Sequence, residues 1–318
     1  MMRTASVRAL SGVLAWTHGL PLGQTLLVVG VLATSAASPL LAQGLESART
    51  AVEARIRASG AEAVGVYARD LERPDSLLSG AATRFHAASM MKVPVMIQVF
   101  RDVDTRRLRF DQTIPVVNVF RSLVDGSPYS LSATDDSDSS LYGRVGGTAT
   151  VRELVDLMIT VSSNLATNIL IDRVRAARAQ ATALFLGADS VQVRRGVEDS
   201  KAYRAGLNNT TTARDLGVLF TAIADRRAAS AASCRAMLDV LGRQRFNAGI
   251  PAGLPPGTRV AHKTGWFTGT HHDGGVVTAA NGRRYVLVVL TRGIQDEAAS
   301  ARLIADIAGL VHGAVAAP

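Results

Sequence analysis

The chain has 318 residues, 47% of them hydrophobic and 19% charged, and its formal charge of +9 is carried almost entirely by arginine. That length and composition suit one large domain or two intimate subdomains and exclude a disordered chain. The arginines are scattered, without the basic, aromatic-interleaved face that a nucleic acid needs, so no nucleic-acid partner is expected. Cys234 is the only cysteine, which excludes an internal disulfide framework and a thiolate metal cluster.

Residues 1–42 read as a cleavable export signal. Arg3 and Arg8 supply the positive start, and "LLVVGVLATSAASPLLAQ" supplies an apolar segment ending in small residues. Ser35, Ser38 and Pro39 break that segment, so no stable membrane insertion is expected once the signal is removed. The expected destination is periplasmic or secreted, and residues 43–318 form the expected catalytic domain.

Apolar spacing at Leu45, Ala48, Val52 and Ile56 predicts a helix over 45–59. "AEAVGVYARDLE" then reads as a strand, and "RPDSLLSG" as a turn into a second one. Residues 89–101 are helical by composition. The stretch 122–147, rich in serine, aspartate and glycine, reads as a solvated loop. Its acidic cluster of Asp135, Asp136 and Asp138 lacks the glycine and distal glutamate of a calcium loop. "TVRELVDLMITVSSNLATNILIDRV" predicts two helices interrupted by "SSN". Residues 187–210 have little periodicity. A helix restarts at "TTTARDLGVLFTAIAD", where Thr212 and Asp215 form a capping pair. The C-terminal part reads as strands "RVAHKTGW", "DGGVVTAA" and "RRYVLVVLTR", with a turn at Asn281–Gly282, followed by a helix from Glu297.

Strands at both ends and helices between them predict an α+β fold. One antiparallel sheet is built from both chain ends and flanked by helices, with a mostly helical lobe inserted. The expected sheet lobe covers about 43–88 and 256–318, and the expected helical lobe about 89–255.

Three short motifs occur in order: "SMMK" at 89–92, "SSN" at 162–164 and "KTG" at 263–265. With three lysines in the chain, a given serine has about a one-in-a-hundred chance of lysine at the third following position. Each motif alone also fits a plain helix start, helix break or strand end; the ordered set is specific.

With these motifs the chain resembles the serine β-lactamases and penicillin-binding proteins, most closely the class A β-lactamase-like family. The resemblance runs over nearly the whole mature chain and includes "RGVEDSKAYRAGLNNTTTARDL", similar to the family's omega-loop region. It implies an antiparallel sheet flanked by helices, with the active site between sheet and helical lobe. It also implies that Ser89 is the nucleophile, with its base either Lys92, one helical turn on and neutral, or Glu198 acting through a water. A lysine is pushed toward neutrality by burial and by a second cation, here Lys263. Ser162 is expected to relay a proton to the leaving nitrogen, and Asn164 to orient Lys92 and the substrate amide. Lys263 and Thr264 are expected to hold the substrate carboxylate, and Gly265 to let the substrate lie close to its strand. The backbone N–H groups of Ser89 and Trp266 would form the oxyanion hole, with a helix N-terminus at Ser89 helping.

Glu198 is the candidate base for deacylation; its alternative is a surface ion pair with Arg194, Arg195 or Lys201. Three departures from the family pattern stand out. Ala202 occupies the position four residues after Glu198 where the family places asparagine, while Asn208 and Asn209 come later. Ser163 replaces the commoner aspartate, and so removes a charge that braces the loop. Trp266 replaces a small residue, so its side chain reshapes the cleft. The 122–147 loop is an insertion beside the site.

His262, His271, His272 and Asp273 raise a metal possibility. Adjacent His271 and His272 face opposite sides of a strand and cannot share one ion, so no metal and no cofactor is expected. The expected substrate is a small-molecule β-lactam, opened through an acyl-enzyme. The alternatives are acyl transfer on peptidoglycan peptides, or a sensor that acylates once without turnover.

Overall fold

A computed structural model describes residues 44–316. The export signal expected over residues 1–42 lies outside the described residues.

Helix α1 (Leu45–Arg57) leads into β1 (Ala63–Asp70) and β2 (Ser76–Ser79). After a short β3 (Phe85–His86), a 3-10 turn over Ala88–Met91 runs directly into α2 (Lys92–Asp104). The following loop carries three minimal strands, β4 (Thr113–Pro115), β5 (Phe120–Arg121) and β6 (Pro128–Tyr129), before β7 (Thr148–Thr150). Then come α3 (Val151–Thr160), α4 (Asn164–Val174), α5 (Ala176–Phe185), the short α6 (Ser200–Arg204), β8 (Thr210–Thr211), α7 (Ala213–Ala224) and α8 (Ala231–Leu241). Strands β9 (Arg259–Phe267), β10 (Thr270–Thr278) and β11 (Arg284–Arg292) and helix α9 (Glu297–Ala316) complete the chain.

Five strands form one antiparallel sheet in the order β2-β1-β11-β10-β9. The fold is α+β, and its sheet joins both ends of the described chain through β1 and β11, which pair from Ala63↔Arg292 to Asp70↔Tyr285. The run "RYVLVVLTR" is nearly all apolar because both sheet faces are covered. Val286, Val288 and Leu290 enter the core shared with the helical region, while Leu287 and Val289 alternate into the core under α1 and α9. The turn at Asn281–Gly282 is present, with Gly282 at φ +86°. Strand β10 begins at Thr270, three residues earlier than its sequence predicts.

Side chains start the inserted helices. Thr150 accepts from the Glu153 amide at 3.2 Å, and Thr212 accepts from the Asp215 amide at 3.0 Å. Helix α2 has no polar face: every residue from Lys92 to Phe100 is buried. A helix enclosed on all sides belongs at the centre of a domain, and this one carries Lys92 there. Pro94 is tolerated because it falls in the first turn, where its missing N–H has no helical partner to lose. Periodicity missed alanine-rich α5, and also α8, although Cys234, Met237 and Leu241 stand at helical spacing on its buried face.

Candidate active site

The structure brings "SMMK", "SSN" and "KTG" to one place, each by a different element. Ser89 sits in the 3-10 turn and lines a cleft of about 460 Å³ together with Asn164, Glu198, Asp135, Arg195 and Trp266. It is the second residue of the helical run formed by this turn and α2, so it lies at a helix N-terminal end as expected, without being the cap. The residues flanking the turn and α2 at their N-terminal ends are Ala87 and Met91, with no side-chain cap. Ala88, immediately before Ser89, has φ +44°, a left-handed conformation unfavourable for alanine.

Lys92 is fully buried, and its Nζ donates to the Ser162 carbonyl at 2.6 Å and to Asn164 Oδ1 at 2.8 Å. Ser162 Oγ lies 3.1 Å from the same nitrogen. A neutral amine has two N–H donors and one lone pair. The two carbonyl acceptors use both donors, which leaves the lone pair for a hydroxyl proton. Burial lowers the Lys92 pKa to about 7, against the opposing pull of the Asp136 and Glu198 charges.

Lys263, also fully buried, donates to Ser162 Oγ at 3.0 Å and to the Thr264 carbonyl at 2.9 Å. Burial and the neighbouring Lys92 charge hold it well below the ordinary lysine range, opposed by Asp273. Ser162 therefore bridges the two lysines through one hydroxyl. Its backbone is strained to reach that position, at φ +59°.

Thr264 is half-buried on β9, the edge strand of the sheet. The structure shows a further reason for Gly265, beside the room for substrate expected of it. A Cβ there would lie 3.1 Å from the Ser89 amide nitrogen and 3.2 Å from that of Met90, so the absent side chain makes room for the turn that carries Ser89. The close approach sets the Ser89 amide beside the strand that carries the Trp266 amide. The Trp266 side chain is 56% exposed on the cleft wall. Next to it Phe267 stacks on His86, with ring centroids 4.8 Å apart, and meets Tyr203 edge-on at 5.6 Å.

Glu198 reaches the cleft from the loop before α6, at φ +62°. Its Oε1 accepts from Asn164 Nδ2 at 2.8 Å, so the Asn164 carboxamide links Lys92 to Glu198 directly. Burial raises the Glu198 pKa above its ordinary value, and the Asp136 and Asp135 charges add to this. The Asn164 amide and the Ser132 backbone N–H pull the other way. Among the described residues Glu198 makes no ion pair. Lys201 instead pairs with Asp125 at 2.8 Å, and Arg195 donates to the Leu207 and Gly196 carbonyls and to Asn208.

The loop around Glu198 is held by residues that pattern reasoning did not single out. Asn168 accepts from the Val197 amide at 2.7 Å and donates to the Val197 carbonyl at 3.0 Å. Buried Asn209 accepts from the Arg194 amide and donates to the Arg195 carbonyl. Asp199 accepts from Ser122 Oγ at 2.9 Å and from the Leu123 amide at 2.8 Å, which ties this loop to the 122–147 loop. Ala202 is buried and offers no side-chain polar group to Glu198.

The 122–147 loop is not a merely solvated excursion. The Asp136 carboxylate accepts from the Asn164 amide at 2.8 and 2.9 Å and from the Leu165 amide at 2.9 Å. Ser163 is itself an N-cap, accepting from the Ala166 amide at 3.3 Å.

The histidines of β9 and β10 diverge as strand alternation requires. His271 Nδ1 meets Ser300 of α9 at 2.9 Å, while His272 Nε2 meets the His86 carbonyl at 2.9 Å. His262 Nδ1 lies 2.7 Å from Asp273 Oδ1, in a buried pair beneath Lys263.

Fold and site together define a β-lactamase-like serine hydrolase. The chain belongs to the beta-lactamase enzyme family, whose profile matches residues 46–315. Among solved structures it is similar to PBP-A at 27% identity and a TM-score of 0.71, over 84% of this chain and 95% of that one. It is similar to a beta-lactamase from Sphaerobacter thermophilus at 29% identity and a TM-score of 0.70, over 86% and 97%. It shares the fold of the TLA-1 extended spectrum beta-lactamase at 21% identity and a TM-score of 0.73, over 85% and 99%. No curated protein sequence matches.

Proposed function

We propose that this protein is an exported class A-like β-lactamase that opens β-lactams through an acyl-enzyme on Ser89. One observation carries the reading. An unbroken hydrogen-bonded link runs from buried Lys92 through the Asn164 carboxamide to Glu198 on the cleft wall. It joins the group suited to start the reaction to the group suited to finish it.

In acylation, neutral Lys92 takes the Ser89 hydroxyl proton as Ser89 Oγ bonds to the lactam carbonyl carbon. The Ser89 and Trp266 amides stabilise the oxyanion. The carbon–nitrogen bond then breaks, and the nitrogen receives a proton from the lysines through Ser162 Oγ. Lys263 is too enclosed for open contact with a substrate carboxylate. It acts on that group through Ser162 and through its field, with Thr264 at the strand edge.

In deacylation, ionised Glu198 takes a proton from water, and the hydroxide attacks the ester carbonyl. The carbon–oxygen bond to Ser89 breaks, and Ser89 Oγ recovers the proton. PBP-A lends support to the acylation half, since a mutant of that protein is known as an acyl-enzyme complex with penicillin G.

A second reading rests on Ala202. Without a polar side chain there, a hydrolytic water has one partner fewer, and the acyl-enzyme persists. The protein would then be a peptidoglycan acyl-transfer enzyme or a penicillin sensor. Mixing it with excess chromogenic cephalosporin separates the two. Turnover far beyond the enzyme concentration is expected, whereas a stoichiometric burst would favour the second reading. Glu198→Ala is expected to keep the burst and lose about 10²–10⁴-fold of the steady rate.

A further inference from the structure

The loop inserted between α2 and α3 supplies a carboxylate to the catalytic centre. We propose that Asp136 is a positioning residue of the reaction: it fixes the Asn164 backbone and, through the Asn164 carboxamide, the placement of Lys92 and Glu198. The inference rests on the acyl-enzyme reading above.

Three observations converge on Asp136. Both of its oxygens accept from the Asn164 amide, and one also accepts from the Leu165 amide. These are donors at the start of α4 that have no helical acceptor. Tyr142 Oη donates to the same carboxylate at 3.0 Å, and the Asp138 amide does so at 3.3 Å, so the loop holds the group on its own side. The residue it fixes is the one whose side chain touches both Lys92 and Glu198.

Position 163, next to Asn164, carries no charge and caps its own helix only with a hydroxyl. The negative charge at this helix end therefore comes from a segment 28 residues upstream. A helix N-terminus gains from an anion, and here that anion also lies within electrostatic reach of the two proton-transferring groups.

The charge acts on both groups in the same direction. It favours the ammonium form of Lys92 and disfavours the carboxylate form of Glu198. The other groups facing Lys92 are Ser162 and Asn164, with Lys263 beside it and Glu198 within reach. Those facing Glu198 are Asn164, the Ser132 amide and the Asp135 charge. Removing the Asp136 charge moves both titrations toward acid, a signature that simple loosening of the loop would not give.

The test measures acylation by a fluorescent penicillin and decay of the labelled enzyme from pH 5 to 9, in wild type, Asp136→Asn, Ser163→Asp and the double variant. Asp136→Asn is expected to slow acylation about tenfold and to move its midpoint down by about half a pH unit. The decay limb should move the same way, and Ser163→Asp should reverse both shifts in the double variant. Ser163→Asp alone should raise the midpoint, which keeps the proposal open to refutation should Asp136→Asn fail to fold by circular dichroism. Unchanged midpoints in Asp136→Asn, or in Ser163→Asp if it alone folds, would overturn the inference while leaving the acyl-enzyme reading intact. Wild-type protein that takes no label would overturn that reading, and the inference with it.

Discussion

Lys92, Ser162 and Lys263 meet in a buried knot beneath the cleft that Ser89 lines, whereas Glu198 arrives at the same cleft on a loop. The knot draws on a fully enclosed helix and an edge strand whose register is set by its partner, from Phe267↔Thr270 to Arg259↔Thr278. Its two lysines are held by burial, so their proton affinities follow from the fold itself. Glu198 is half-buried and strained, and is held by amides of Asn164, Asn168 and Asn209 acting on it or on its neighbours. In the function proposed above, the chemistry that forms the ester is then an intrinsic product of folding. The chemistry that breaks the ester depends on loop contacts that can vary without disturbing the core.

Replacing Ser89 breaks the comparison most completely, since it removes the atom both halves share. Ser89→Ala is expected to abolish covalent labelling by a penicillin, read on a denaturing gel; persistent labelling would remove the nucleophile. Lys92→Met keeps an apolar stem of similar length in the core and removes the base. Acylation is expected to fall about 10²–10⁴-fold, measured by rapid mixing. In the wild type, acylation should rise with pH through about 7 as Lys92 gives up its proton. Deacylation should instead fail at low pH, as Glu198 gains a proton above the usual carboxylate range. A single shared pH midpoint for the two steps would erase the distinction between the halves. The smallest effect is expected from Gly265→Ala, whose methyl group presses on the Ser89 turn. Acylation should slow about tenfold while the decay of labelled enzyme stays nearly constant, as a misplaced nucleophile implies.

Much of the knot was legible in the sequence because its spacing is local. Lysine three residues after serine falls one helical turn on, and an apolar run such as "YVLVVL" announces a strand covered on both faces. The Thr212–Asp215 cap was legible for the same reason. The loop side was not. Asp136 and Asn164 are 28 positions apart, as are many other pairs that do not interact. Nothing in "SATDDSDSS" distinguishes the aspartate that caps α4 from its two exposed or self-satisfied neighbours. Asn168 and Asn209 read as ordinary polar residues of a helix and a turn until the loop they clamp is folded against them. Even Gly265 was legible only in part: its smallness was plain, but the neighbour requiring it came from the other end of the domain.

The pairing of β1 with β11 also governs how the molecule assembles. Strands more than 200 residues apart close the sheet, so a long loop must be ordered before the central hydrogen bonds form. Contacts of such long range make for slow folding. The Ser89 turn packs against β9, which is registered on β10 and through it on β11, so reactivity toward a penicillin should appear only in the last phase of refolding. Covalent labelling would then serve as a clock for completion of the native state.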